Sequence, residues 1–315
     1  MEFLVRYSLS SFVPDVDESL DQAGTQLALR AGLGLPCLQL ENLAISARRL
    51  ASQVPAKSLF YLAHAAHLQA QAVESFNSHA RRIEALDCVA LLLFTSTLGR
   101  HLLIDTLARR EPDLPRFLDR WVQHVAVHRG LRAVASEAWP ALVESELEPV
   151  LSWGGGLYAQ KPQGTEMDGL IGFIVDSSES PSSGFDHTFT TACLDAIHHL
   201  QLGLDSISRS PPDKSQYHMA FNWSVLCPVN FTALLHRRQP EALIIPAHYG
   251  VLLHYARDMW QIADSGAYLL SMISEYLEPE WREHLAWPQE VIWSPQGEGS
   301  SVEPSPSYSI GAVSS

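Results

Sequence analysis

The sequence has little positive charge, little cysteine and no recognisable catalytic signature. Lys and Arg number 21 against 35 Asp and Glu, giving a net charge of −14. Nucleic-acid binding needs a basic face against the phosphates, and here the arginines fall in scattered pairs such as Arg48–Arg49, Arg81–Arg82, Arg109–Arg110 and Arg237–Arg238. No direct nucleic-acid binding is expected. The four cysteines, Cys37, Cys88, Cys193 and Cys227, are far apart, and no Cys-x-x-Cys occurs. That spacing excludes a zinc cluster and a redox dithiol, and it leaves buried free thiols. No uncharged apolar run approaches the ~20 residues of a bilayer span, so no membrane association is expected. The opening residues lack the basic and apolar regions of a secretory signal. The expected location is nuclear or cytoplasmic, not secreted. There is no nucleophile elbow, P-loop or phosphate-cradling glycine loop, and no cofactor is implied.

Helical phase is what the sequence does have, with 46% hydrophobic residues to bury. The strongest block runs from Pro240 to Pro288. Ile245, Tyr249, Leu252, Ala256, Met259 and Ile262 recur at three- and four-residue spacing, which predicts one buried helix face. Further helices are predicted over Ala267–Tyr276 and around Trp281–Trp287, with Pro288 as a stop. Earlier, Leu38–Ala51 and Leu59–Ala80 read as an amphipathic pair, the second with an inner stripe of Leu62, Ala66, Ala70, Val73 and Phe76. A third helix, about Glu84–Arg109, carries twelve uncharged residues at Cys88–Gly99 and should be buried on most sides. Helices at Leu118–Val134, Trp139–Leu151, Asp186–Ile207 and Tyr217–Arg237 complete the pattern, the last kinked at Pro228. Residues 1–35 read as a short helix at Glu2–Tyr7 and then a loop. Ser152–Gly184, rich in Gly and Ser, reads as a mostly irregular, flexible insertion with a short apolar island at Leu170–Val175, and 294–315 as a disordered tail. The expected fold is all-α: a single irregular multi-helix domain over 1–293.

The block AHYGVLLHYARDMW followed by LEPEWREHLAWP resembles the end of the regulatory domain of fungal binuclear zinc cluster transcription factors, in particular the sterol uptake regulator group. Matching blocks occur earlier in the same order: LAISARRLA with YLAHAAHLQAQAVESF, then HRGLRAV, then SELEPVL. The resemblance covers Glu2 to Pro288, with a poor fit over Ser152–Asp213. It implies an effector-sensing domain that binds an apolar small molecule or a protein partner, as a homodimer or with the transcription machinery. The chain departs from that family in lacking the zinc cluster, the basic linker and the dimerising coiled coil. It reads either as an excised domain or as a protein without the DNA-binding half.

Candidate site residues follow from helical phase and aromatic content. Phe94, Trp121, His248, Tyr249, Gly250, Leu252 and Trp260 are expected to line an apolar ligand pocket. Gly250 and Pro246 lie in one helix, where a bend and a missing side chain open a cavity beside His248; tight helix packing without a cavity fits them equally. His124 and His128, one turn apart, have the spacing of a metal-chelating pair but no third ligand, so no metal is expected. An alternative is a regulatory-type fold repurposed as an enzyme of secondary metabolism, a cyclase or isomerase, with His101, His248 or His254 as acid–base groups.

Overall fold

The structure, a computed structural model, describes residues 18–79, 88–179, 187–208 and 217–294. Among them it is all-α, as expected, with no strand. In chain order the helices are α1 (Glu18–Gly34), α2 (Pro36–Gln53), α3 (Ser58–His79), α4 (Cys88–Ala108), α5 (Leu114–Glu137), α6 (Trp139–Leu142) and α7 (Glu148–Tyr158). They continue as α8 (Asp168–Glu179), α9 (His187–Ile207), α10 (His218–Leu226), α11 (Val229–His236), α12 (Pro240–Tyr255), α13 (Ser265–Tyr276) and α14 (Ala286–Trp293). Short 3-10 turns occupy Pro55–Lys57 and Pro279–Leu285. Proline opens α2 and α12, where its fixed φ suits the first turn and its missing N–H has no partner to lose.

The C-terminal block is central, but not as a one-faced helix. Every residue from Ala242 to Leu253 is buried, so α12 is apolar around its whole circumference and the other helices wrap it. It ends at Tyr255, and Met259 and Ile262 lie in turns beyond it. Around α12 pack α9, α10, α11, α13 and α14. Pro246 sits inside the helix and leaves the Ala242 carbonyl without its usual donor. Gly250 and Gly266 set the approach of α12 to α13: a Cβ on Gly250 would stand 3.1 Å from the Gly266 carbonyl oxygen, and one on Gly266 would collide with the Gly250 carbonyl. Of the two readings of Gly250, helix packing is the one its surroundings match.

Several boundaries differ from expectation. Residues 18–34, read as loop, form α1, while Glu2–Tyr7 lies outside the described residues. Trp139–Leu151 is broken into α6 and the start of α7. The stretch Ser152–Gly184, expected to be irregular, contains most of α7 and all of α8. Leu170 and Ile174 bury one face of α8, and that tertiary cover overrides the composition of the surrounding loop. The loop before α8 is pinned as well, because Asp205 accepts the Gln163 and Gly164 amides at 2.7 and 2.9 Å and Gln201 accepts that of Met167 at 3.0 Å. Pro228 separates α10 from α11 instead of kinking one helix, with an extended ψ of 152°. Pro288 falls in the first turn of α14, so it helps start the helix it was expected to stop.

Two apolar clusters share α4. Leu35, Cys37, Leu38, Ala72, Ala90, Phe94 and Leu98 form the N-terminal one. Leu103 and Leu107, further along α4, belong to the main core with α5 and α8–α14. By length and composition α4 alone among the described helices is apolar enough to cross a membrane, yet 61% of its most apolar window is buried inside this domain.

Candidate functional site

The inner stripe expected on α3 is real in spacing, but Phe76 is the member of it that packs on the N-terminal cluster. Ala65 and Ala72 are the residues buried on that helix, whereas Ala66 and Ala70 are exposed and Val73 is 37% exposed. The helix thus carries two apolar faces. One packs along α2; the other, Ala66, Ala70, Val73 and Phe76, lines a cleft of about 840 Å³. Phe76 ties α3 to α4 by stacking on Phe94 at 5.0 Å. Across the cleft stand Leu98 and Leu102 of α4 and Val127 of α5.

Polar groups enter this apolar setting at a few points. His124 of α5 lines the cleft and is 4% exposed, and neither of its ring nitrogens has a hydrogen-bond partner. Its ring meets Trp121 edge-on at 6.3 Å and lies 5.9 Å from the His128 ring. Burial, and then the neighbouring His128, pushes its pKa down to about 3. The imidazole is therefore neutral near pH 7, with one N–H to donate and one lone pair to accept. His128 in turn fills the space above Gly99, where a Cβ would collide with the ring. On α3, Gln69 also lines the cleft, and its Nε2 is shut off from solvent without a partner.

The charged groups at the rim are already engaged. Arg120 donates to Glu111 at 2.7 Å, and Glu111 also pairs with Arg109 at 3.0 Å. Asp105 lies 2.7 Å from Arg48 Nε and 3.7 Å from His101 Nε2. His101 donates from Nδ1 to Glu41 at 2.7 Å, and both side chains are essentially fully buried. A line of three ionisable side chains thus runs from the rim, at Asp105, into the N-terminal cluster at Glu41.

The pocket drawn from sequence is dispersed by the fold. Trp121, Tyr249 and Trp223 pack together in the main core, with Tyr249 stacked on Trp223 at 4.4 Å and edge-on to Trp121 at 5.6 Å. The Tyr249 hydroxyl donates to the Ala220 carbonyl. Leu252 is core, and Phe94 belongs to the other cluster. Trp260 is half-buried, with the Arg49 guanidinium 6.0 Å from its ring. His248 hydrogen-bonds to the Ile244 carbonyl at 3.0 Å and stacks on Trp287 at 5.5 Å; burial lowers its pKa to about 4. His254 is half-buried at the end of α12, its pKa lowered by burial and then by Arg257. None of His248, Tyr249, Gly250 or Leu252 reaches the cleft, which was legible only through the α3 stripe and the His124 phase. Gln69 and Asp105 carried no sequence signal. Among the described residues, no three His, Cys, Asp or Glu side chains are grouped to hold a metal, so the His124–His128 pair gains no third ligand.

No protein-family model matches the chain, and no curated protein or solved structure matches it significantly.

Proposed function

We propose that this chain is an effector-binding regulatory domain, of the kind carried by fungal binuclear zinc cluster transcription factors, and that its effector is an apolar small molecule seated between α3, α4 and α5. The observation that carries the reading is an apolar helix face left without protein cover, opposite a buried histidine without a hydrogen-bond partner. Apolar surface facing a cleft of this size gains free energy when an apolar ligand covers it. The cleft volume falls in the range of small-molecule sites, ~300–1,000 Å³. The resemblance of the ordered sequence blocks to that family is what supports the regulatory part of the proposal.

The test is saturable binding of the neutral fluorophore N-phenyl-1-naphthylamine to the purified chain, repeated with Ala70→Trp. Residue 70 is exposed in the cleft wall, so the indole fills the cleft without entering the core. Loss of binding with unchanged thermal unfolding is expected. Binding that survives the substitution would place the apolar site elsewhere and remove the basis of the proposal.

A second reading, a cyclase- or isomerase-type enzyme, is favoured by one feature: the Asp105–His101–Glu41 line places a backed carboxylate at the cleft rim. Molecules extracted from the protein after incubation separate the two readings. A sensor returns its ligand unchanged.

A further inference from the structure

We propose that the outer face of α3 is a self-association surface, on which the same helix of a second copy of this chain lies antiparallel, the two related by a twofold axis at Ala66. Leu59, Ala63, Ala66, Ala70 and Val73 follow one another at steps of four, three, four and three residues, so they share one helix face. All five are exposed, Leu59 by 84% and Val73 by 37%, and Phe60 beside them is 56% exposed. The cleft takes up only the half of this face from Ala66 onward. Leu59, Phe60 and Ala63 lie beyond it, so a small molecule in the cleft leaves them bare. The outer face of a surface helix ordinarily carries charge, yet among its 22 residues α3 has one carboxylate, Glu74, and no lysine or arginine. In a chain of net charge −14, this is a face on which two copies meet without strong repulsion.

The order of residues along the face selects a second copy running the opposite way. Read from either end the face is large, small, small, small, large, with Ala66 in the middle. Antiparallel pairing therefore sets Leu59 beside Val73 of the partner subunit and Ala63 beside Ala70 of the partner subunit, and the two Ala66 residues meet on the axis. Alanine at the crossing lets the helix axes approach to ~8 Å. Charge agrees with the same direction. Lys57 borders Leu59 and Phe60 at one end of the face, and Glu74 follows Val73 at the other, both of them exposed. Each lysine then comes opposite the partner subunit's Glu74, whereas parallel pairing would set like charges together. A helix of about 33 Å, with the cleft rim beside it, buries on the order of 1,000 Å² in total, which is near the lower limit for specific association and makes the dimer a weak one.

The experiment is sedimentation velocity on the whole chain without added ligand, over about 1 to 100 μM, the concentrations at which a contact of this size associates. The average mass should rise from that of one chain toward twice that value. Leu59→Glu, at a position that takes no part in the core, should stay monomeric over the same range while keeping the helical circular dichroism of the parent. Lys57→Glu should raise the dissociation constant by roughly 3- to 10-fold, and Lys57→Glu combined with Glu74→Lys should bring it back. An unmodified chain that stays monomeric throughout, a dimer that Leu59→Glu leaves intact, or a charge exchange that fails to restore association overturns the inference. Lys57 and Leu59 do not line the cleft, so any of these failures leaves the effector site standing, and fluorophore binding tests that site by itself.

Discussion

Replacing His124 by leucine should stabilise the unliganded protein, which is unusual for a buried position. In the fold the ring is 96% removed from solvent without a hydrogen bond to either nitrogen. A buried polar group without a partner costs ~1–3 kcal/mol, so at neutral pH the leucine variant should be more stable by about that much. The pH dependence gives an independent check. The folded-state pKa is depressed from 6.5 to about 3, so the unfolded chain binds a proton that the folded chain refuses. Stability from this group is complete above pH 6.5, declines as the pH falls through that value, and levels off near pH 3. Between pH 7.5 and 5.0 the loss from His124 amounts to about 2 kcal/mol. His248, with its pKa lowered to about 4, adds a loss of similar size over the same interval. Urea unfolding followed by tryptophan fluorescence at the two pH values should show the variant losing about half as much stability as the parent from this pair. His128 borders His124, and Asp105, Glu74 and Arg120 share the cleft, but all remain in both proteins and cancel in the comparison. A variant that is less stable at pH 7.5, with the acid loss unchanged, would refute the reasoning, because the ring would then be a satisfied part of the fold.

Two further outcomes follow from the packing. Gly266→Ala should destabilise by ~1–3 kcal/mol in chemical unfolding, because the added methyl meets backbone atoms of α12, which cannot rotate away as a side chain would. Glu41→Leu should cost about 3 kcal/mol or more by leaving the buried Nδ1 of His101 without its acceptor, whereas Glu41→Leu with His101→Leu should recover most of that loss. A double variant as unstable as the sum of the singles would mean that the two side chains do not act as a pair.

The all-α fold was legible because helical periodicity, long apolar stretches and proline positions are local properties, written residue by residue along α2, α4, α9 and α12. Local signals also pointed to free thiols, which all four cysteines are. They did not reveal which apolar face of a helix would be covered. The Ala66–Ala70–Val73–Phe76 stripe on α3 looked like core because spacing reports amphipathicity, not the partner that buries it. The partner is a matter of tertiary arrangement: α2 takes the Ala65–Ala72 face, and α4 and α5 stand across a cleft from the other. The same holds for Tyr249 and Trp121, whose aromatic rings fit a pocket or a core equally well until Trp223 closes on both. Gly250 is decided by Gly266, sixteen residues on, whose backbone comes within van der Waals reach of it. His124 and Gln69 come to line one cleft only because two helices distant in sequence stand across it from each other, and no spacing rule along the chain encodes that.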